Sequence, residues 1–130
     1  MPNTPTSPNN YPDSETRVLL SKALQILEVF RGLDDEILIG EAASLLTIAL
    51  GQSSDGAGLG VTDLKNRLDI ALATAGRYSN SLATFDRNKG PGTELISNHR
   101  HPTDDRRKVL RLTAQGVRLL GRIENILREK

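Results

Sequence analysis

The sequence predicts a mostly α-helical domain that carries one small β-hairpin towards its C-terminal end. The six prolines lie at positions 2, 5, 8, 12, 91 and 102, so no proline breaks a helix between residues 13 and 89. Apolar residues recur at helical spacing in residues 14–50, 61–86 and 113–130. Residues 92–112 instead hold two segments of strand composition around a polar turn. At 130 residues, the chain is long enough to bury one core but not two.

The N-terminal part of the sequence predicts a tail followed by a helix. Residues 1–12 contain four Pro and three Asn, and they are predicted to be disordered because they lack the apolar side chains that offset the entropy of ordering. Asp13 or Ser14 is expected to cap a first helix that Gly32 ends. The apolar stripe of this helix consists of Leu20, Ala23, Leu24, Leu27 and Phe30.

A second helix is predicted to begin at the acidic run Asp34, Asp35 and Glu36, because negative charge is favourable at a helix N-terminus. It extends to about Leu50, is apolar on most sides and is expected to be buried. The two helices make residues 13–50 an N-terminal helical region. Residues 51–60, with four Gly and two Ser, are expected to form a flexible connection.

Residues 61–86 predict two helices joined by a short turn. Thr62 is expected to cap the first, whose apolar positions 61, 64 and 68 face inward. The second extends from about Ala71 to Asp86. Two helices joined by so short a turn must cross at a steep angle, which is the geometry of a helix-turn-helix.

The last part of the sequence predicts a hairpin and a final helix. The hairpin has His101–Asp105 as its turn, and it completes a unit of residues 61–112. Thr113 then caps a helix over residues 113–130, and about a third of its circumference has no evident cover within the chain. Its apolar stripe consists of Val117, Leu120, Ile123, Ile126 and Leu127.

Charge is distributed unevenly along the chain. Residues 1–60 hold 3 Lys and Arg against 8 Asp and Glu, a net charge of −5, whereas residues 61–130 hold 14 against 8, a net charge of +6. This asymmetry predicts that an anionic partner binds the second half.

Several chemistries are excluded or disfavoured by composition. The absence of Cys excludes disulfides, thiolate zinc sites and cysteine nucleophiles. No catalytic or cofactor-binding motif is present, so neither an enzyme nor a cofactor is expected. His99 and His101 share one face of a predicted strand, but without a third ligand nearby no metal site is expected. No apolar segment is long enough to span a membrane, which predicts a cytoplasmic location.

The hairpin region, LISNHRHPTDDRRKVLRLTAQG, resembles the wing of the MarR family of transcription regulators. Leu95 and Ile96 match the start of the family pattern, and Asp104 and Arg106 match its D-x-R wing tip. The L-T-x-x-G entry into the next helix is matched by Leu112, Thr113 and Gly116. Upstream, VTDLKNRLDIALATAGRYSNSL is similar to the helix-turn-helix segment of the family, with Arg77 at a basic position. The resemblance covers residues 61–120.

This resemblance implies a winged helix-turn-helix protein that binds double-stranded DNA as a homodimer and regulates transcription. The second helix of the helix-turn-helix would enter the major groove, and the wing would enter the minor groove. The first and last helices would form the dimer. A small-molecule effector is common in the family, but the sequence does not name one. The candidate dimerisation residues are Leu20, Leu24, Leu27, Leu120, Ile123 and Leu127.

The candidate DNA-binding residues follow from helical geometry and from the wing motif. If Ala75, Ser79 and Leu82 face the core, the opposite face of the helix points to the DNA. That face and its flank present Thr74, Arg77, Asn80, Ser81 and Thr84. Arg77 suits guanine and Asn80 suits adenine. The wing supplies Arg100, Asp104, Arg106, Arg107 and Lys108, of which Arg106 is the candidate for the minor groove, while Lys65 is a candidate phosphate contact.

One departure from the family pattern keeps a second interpretation open. Ala71, Leu72, Ala73 and Gly76 lie where the family commonly has small polar or basic residues. A winged-helix module that binds another protein, or that binds DNA weakly and without sequence specificity, is therefore the alternative.

Overall fold

The computed structural model describes residues 11–83 and 94–129, and within them the chain forms five helices and a two-stranded antiparallel sheet. The elements are α1 (Ser14–Arg31), α2 (Ile39–Gly51), α3 (Val61–Leu68), α4 (Leu72–Ala83), β1 (Ile96–His101), β2 (Asp104–Leu112) and α5 (Ala114–Arg128). None of the described helices combines the length and the apolar character needed to cross a membrane. The predicted tail lies outside the described residues except for Tyr11 and Pro12.

Helix α1 has the predicted bounds, but only its C-terminal end packs into the core. The side chain of Asp13 caps it by accepting a hydrogen bond of 2.8 Å from the Thr16 amide, and Gly32 is its C-cap residue. Val29 and Phe30 are buried, whereas the predicted stripe residues Leu20, Leu24 and Leu27 are exposed. Most of the apolar surface of α1 therefore has no cover within the protomer.

Helix α2 begins at Ile39, so its predicted start at the acidic run was wrong. The Asp34 carboxylate accepts a hydrogen bond of 2.9 Å from the Glu36 amide and so forms a turn that competes with the helix. Glu41 instead caps α2, because its side chain accepts a bond of 2.8 Å from the Leu38 amide. Burial on most sides was also wrong: one face is buried, but Ile39 is 80% exposed and Leu50 is 85% exposed.

Helices α3 and α4 form the predicted helix-turn-helix. The N-cap of α3 is Gly60 rather than Thr62, because the Asp63 carboxylate accepts a hydrogen bond of 2.9 Å from the Gly60 amide. Asp69, in the left-handed conformation at φ 54°, ends α3. Helix α4 buries Ala75, Ser79 and Leu82, as the sequence predicted. The predicted last turn of α4, residues 84–86, lies outside the described residues.

Strands β1 and β2 form the predicted hairpin with a tighter turn than expected. His101 pairs with Asp104, so the turn consists of Pro102 and Thr103, and the prediction of His101–Asp105 was too long. The ring Nδ1 of His101 accepts a bond of 3.2 Å from the Thr103 amide, and the Asp104 carboxylate accepts one of 3.1 Å from the Arg106 amide. A bulge follows between the pairs Arg100–Lys108 and His101–Asp104.

Residues 51–60 do not form the expected flexible connection, because they are hydrogen-bonded to β2. Leu59 is buried and forms an isolated β-bridge with Leu110, whose amide donates a bond of 2.7 Å to the Leu59 carbonyl. The Leu112 amide donates to the Gln52 side chain at 2.9 Å. The segment is therefore fixed beside β2 by one isolated bridge and a side-chain hydrogen bond.

The entry into α5 explains the L-T-x-x-G pattern physically. The Thr113 hydroxyl accepts a bond of 3.0 Å from the Gly116 amide and donates one of 2.6 Å to the Glu94 carbonyl. The Thr113 amide donates to the Leu95 carbonyl at 2.9 Å. A Cβ atom at Gly116 would lie 2.3 Å from the Leu95 carbonyl oxygen, so only glycine permits this approach.

We expect Gly116→Ala to lower the free energy of unfolding by about 1–3 kcal/mol, because backbone atoms must move to make room for the methyl group. Gly121→Ala in the same helix is the matched control, since its Cβ atom would meet nothing within 4 Å. The control is expected to be neutral or to stabilise by up to about 1 kcal/mol through helix propensity. Urea unfolding followed by circular dichroism measures both, and equal effects would contradict this account of the pattern.

Candidate nucleic-acid interface

The outer face of α4 presents the predicted polar side chains. Arg77, Asn80 and Ser81 are exposed and Thr74 is half-buried, while Thr84 lies outside the described residues. The Arg77 guanidinium donates a hydrogen bond of 3.3 Å to the Thr74 hydroxyl. A guanidinium carries five N–H donors, and this bond uses one of them. The bond to Thr74 orients the Arg77 side chain along α4 and leaves further guanidinium donors for a partner.

The first turn of α4 is apolar and open. Ala71 and Ala73 are exposed, Leu72 is 52% exposed, and a Cβ atom at Gly76 would meet nothing within 4 Å. These groups offer methyl surface and space for close approach rather than hydrogen bonds. Apolar side chains of this kind can contact the methyl group of thymine in a major groove.

The wing collects cationic side chains on the hairpin. Arg100, Arg106, Arg107 and Lys108 are all exposed. Arg100 and Lys108 are direct cross-strand partners, a like-charge arrangement that destabilises an isolated hairpin. No carboxylate among the described residues forms an ion pair with Arg106. The wing therefore concentrates positive charge that an anionic partner would stabilise.

Two further contacts link the wing to the helix-turn-helix. The Arg107 guanidinium lies 4.0 Å from the Asp63 carboxylate, which also caps α3. Lys65, the predicted phosphate contact, is half-buried and donates a bond of 3.1 Å to the neighbouring Asn66 side chain. Asp63 was missed in the sequence, although its place three residues after Gly60 is the usual signal for a capping residue.

The sequence also did not reveal the side chains that fix residues 51–60 beside the wing. The Arg111 guanidinium donates to the Ser53 carbonyl at 2.9 Å and to the Ala57 carbonyl at 2.7 Å. The Asp55 carboxylate accepts hydrogen bonds from the Ser53 hydroxyl and, at 2.9 Å, from the Ala57 amide. The two bonds of Arg111 join residues 54 and 58 positions apart and carry no local sequence signal.

The predicted dimerisation residues do not form one uniform surface. Leu20, Leu24, Leu27 and Leu127 are exposed, Leu120 is half-buried, and Ile123 belongs to the core of the protomer. Helices α1 and α5 pack together within the chain, and Lys22 donates hydrogen bonds to the carbonyls of Leu127 and Glu129. An open apolar groove of about 490 Å³ lies between α2 and α5.

The two wing histidines make local hydrogen bonds. The ring Nε2 of His99 lies 2.7 Å from the Ser97 hydroxyl, and the ring of His101 bonds to Thr103. Across residues 11–83 and 94–129, no three His, Asp or Glu side chains are grouped so that they could hold a metal ion.

Comparison with solved structures shows which fold this arrangement represents. The chain matches the S. aureus MepR–DNA complex with a TM-score of 0.59 at 23% identity, over 87% of this chain and 78% of MepR. MepR bound to ethidium bromide matches with a TM-score of 0.60 at 22% identity, over 92% and 77%. RV1404 from Mycobacterium tuberculosis matches with a TM-score of 0.59 at 20% identity, over 96% and 76%.

The helix-turn-helix followed by a two-stranded hairpin defines a winged-helix protein. MepR and RV1404 are winged-helix regulators of the MarR family, and this chain has their fold. The fold expected from the sequence resemblance is therefore confirmed. No family model and no curated protein matches the chain.

The hydrogen bonds at Asp55 predict a pH dependence of the segment beside the wing. The Ser53 hydroxyl and then the Ala57 amide hold the pKa of Asp55 below its ordinary 3.8. Because the folded-state pKa is depressed, this contribution to stability is present above pH 3.8 and is lost as the pH falls through the folded-state pKa.

A carboxyl titration by NMR measures this directly. Ser53→Ala is expected to raise the pKa of Asp55 towards its ordinary value, because the first of the two hydrogen bonds is lost. Ser54→Ala, at the exposed neighbouring serine, is the control and should leave the titration of Asp55 unchanged. An Asp55 carboxyl that titrates at or above 3.8 in the unmodified protein would contradict the geometry.

Proposed function

We propose that this protein is a MarR-family transcription regulator that binds double-stranded DNA as a homodimer. The observation that carries the proposal is the pairing of an exposed α4 face with a cationic wing on a fold whose solved examples include a MepR–DNA complex. The positive net charge of residues 61–130 supports the same proposal, because it favours binding to the negatively charged DNA backbone.

In this proposal, α4 is the recognition helix in the major groove. Arg77 forms a bidentate contact with guanine and Asn80 contacts adenine, while Thr74 and Ser81 lie on the flank of the same face. The predicted contact by Thr84 belongs to the next turn, outside the described residues. Leu72 and Ala73 contribute methyl contacts at the N-terminal end of the helix, where recognition helices approach base edges.

The wing provides the second part of the proposed contact. Arg106 enters the minor groove, where a guanidinium responds to groove width and potential rather than to a unique base pattern. Asp104 holds the backbone at Arg106 near the start of β2, through the hydrogen bond of 3.1 Å that its carboxylate accepts from the Arg106 amide. Arg100, Arg107, Lys108 and Lys65 lie close to phosphates and position the protein on the duplex.

The exposed apolar side chains of α1 and α5 support a dimer of this chain. Leu20, Leu24, Leu27 and Leu127 remain accessible to solvent in the protomer, and exposed apolar side chains grouped on a helix are a usual feature of an interaction site. In this dimer, the half-buried Leu120 would lie at the border of the interface. Ile123 belongs to the core of the protomer and would support the interface from beneath. A two-fold axis would place two recognition helices about 34 Å apart on one face of DNA.

A small-molecule effector is compatible with the proposal. One solved structure of MepR is bound to ethidium bromide. In this chain, the groove between α2 and α5 is apolar, and its lining includes Leu46, Leu50 and Leu127.

The salt dependence of binding to duplex DNA of random sequence tests the function against the alternative of a protein-binding module. The exposed Leu72 at the start of α4 favours that alternative. A DNA-binding wing and helix should show log K falling linearly with log salt, with a slope of about −0.9 for each phosphate contact. Absence of binding to both random and selected duplexes would remove the DNA-binding proposal.

We expect Arg77→Ala to flatten the preference at one base pair in each half-site, at a cost of about 1–3 kcal/mol on the best site. Selection of bound sequences from a random DNA pool, before and after the substitution, gives the measurement. Arg67→Ala is the matched control, since Arg67 is an exposed arginine of α3 outside the recognition helix. The same selected motif for Arg77→Ala and the unmodified protein would show that Arg77 does not read a base.

Charged substitutions test the dimer without disturbing the core. Leu24→Glu and Leu127→Glu place charge on exposed apolar positions, so they should yield folded monomers that lose the second half-site. Gln25→Glu adds the same charge to an exposed polar position of α1 and should remain dimeric. Sedimentation velocity measures whether each variant is a monomer or a dimer. The protein concentration is on the order of tens of micromolar, because dimerisation depends on concentration by mass action. A monomeric unmodified protein with full operator affinity would defeat the dimer.

A further inference from the structure

Residues 52–59 are held against strand β2 at three consecutive positions. The Leu110 amide donates to the Leu59 carbonyl at 2.7 Å, and the Leu112 amide donates to the Gln52 side chain at 2.9 Å. Between them, the Arg111 side chain reaches across to the same segment. We call these contacts between residues 52–59 and residues 110–112 the wing clamp.

Arg111 is the central contact of the wing clamp. One of its terminal nitrogens, Nη1, donates to the Ser53 carbonyl at 2.9 Å and to the Ala57 carbonyl at 2.7 Å. The Ser53 amide donates a hydrogen bond of 3.0 Å to the Ala57 carbonyl. Both carbonyls that accept from Arg111 therefore belong to one hydrogen-bonded turn. A single guanidinium therefore holds the whole turn by charge-assisted hydrogen bonds.

The turn held by Arg111 lies against the tip of the hairpin. A Cβ atom at Gly56 would lie 3.1 Å from the Cγ atom of Pro102, the first residue of the hairpin turn. Arg106 follows four residues after Pro102, in the strand that leaves the hairpin turn. The wing tip is thus supported from one side by a segment that begins at the end of α2.

Arg111 differs from the other cationic residues of the wing in its surroundings. Arg100, Arg106, Arg107 and Lys108 are exposed, whereas Arg111 is half-buried and its guanidinium is engaged by two carbonyl groups. These surroundings disfavour a phosphate contact by Arg111 and favour a role inside the protein.

We infer that Arg111 is a positioning residue for the wing, which fixes the direction in which Arg106 is presented to DNA by holding the Ser53–Ala57 turn against the hairpin tip. The inference rests on the proposed DNA-binding function. It adds a specific dependence: the contribution of Arg106 to binding requires Arg111, although Arg111 itself does not contact DNA.

A double-mutant cycle tests this dependence on duplex DNA selected from a random pool. In the unmodified protein, Arg106→Ala is expected to weaken binding about fivefold or more. Arg111→Met keeps a stem of similar length and removes the guanidinium, so in that background Arg106→Ala should cost less than about twofold. Arg122→Met removes the same charge from an exposed position of α5 and should preserve the full effect of Arg106→Ala.

Amide hydrogen exchange of the free protein adds a measurement that does not involve DNA. Arg111→Met should speed exchange at the amides of Leu110 and Leu112, because their acceptors lie in the released segment, and should spare the amide of Leu119 in α5. Arg111→Lys can donate to only part of the turn, so its amides at Leu110 and Leu112 should exchange at intermediate rates. If Arg111→Met does not fold, the double-mutant cycle with Arg106→Ala is measured in the Arg111→Lys background.

The outcomes separate the inference from the function on which it rests. A non-additive cycle with faster exchange in the clamp supports positioning by Arg111. Additive losses, or unchanged binding by Arg111→Met, would overturn the role of Arg111 while the DNA-binding function stands. Failure of the unmodified protein to bind any selected duplex would overturn the function itself.

Discussion

The backbone of Leu95 is the point on which the arrangement of this protein depends. Its amide donates a hydrogen bond of 2.8 Å to the Leu82 carbonyl in α4, and its carbonyl accepts one of 2.9 Å from Thr113 at the start of α5. The side chain is fully buried, and Gly116 permits the first turn of α5 to approach that carbonyl. One residue therefore joins the end of α4, the base of the hairpin and the start of α5 in the core.

This junction relates the two surfaces on which the proposed function depends. Helix α5 begins beside Leu95, at the hydrogen bond from Thr113, and then places Leu119 and Ile123 in the core and Leu127 on the exposed side. Helix α4 leaves the same junction with Arg77 directed outward. Because both helices leave one buried point, a dimer formed through α5 sets the spacing of two copies of α4 by rigid packing rather than by a linker.

The sequence predicted the elements whose signals are local. The Asp13 cap, the buried positions of α4 and the Thr113 cap follow from capping chemistry and helical periodicity, and the structure confirms them. The errors at the start of α2, the cap of α3 and the hairpin turn involve competing local hydrogen bonds, whereas the error over residues 51–60 arose where distant residues decide. Residues 51–60 have the composition of a loop, yet backbone pairing of Leu59 with a strand about 50 positions away gives them a fixed path. The choice of DNA-contacting residues in the candidate site remains a prediction, because helical periodicity shows which face is outward but not what it contacts.

The pairing of Leu59 with Leu110 also covers part of a sheet edge that another chain could otherwise pair with. A two-stranded hairpin alone is marginal in water, and each of its edges is a template for strand addition by another chain. Leu59 occupies part of the outer edge of β2, so that edge is shielded by the chain itself. The outer edge of β1 carries Asn98, His99 and Arg100, whose polar and charged side chains oppose edge-to-edge association. Both edges of the hairpin therefore carry features that disfavour the addition of a strand from another molecule.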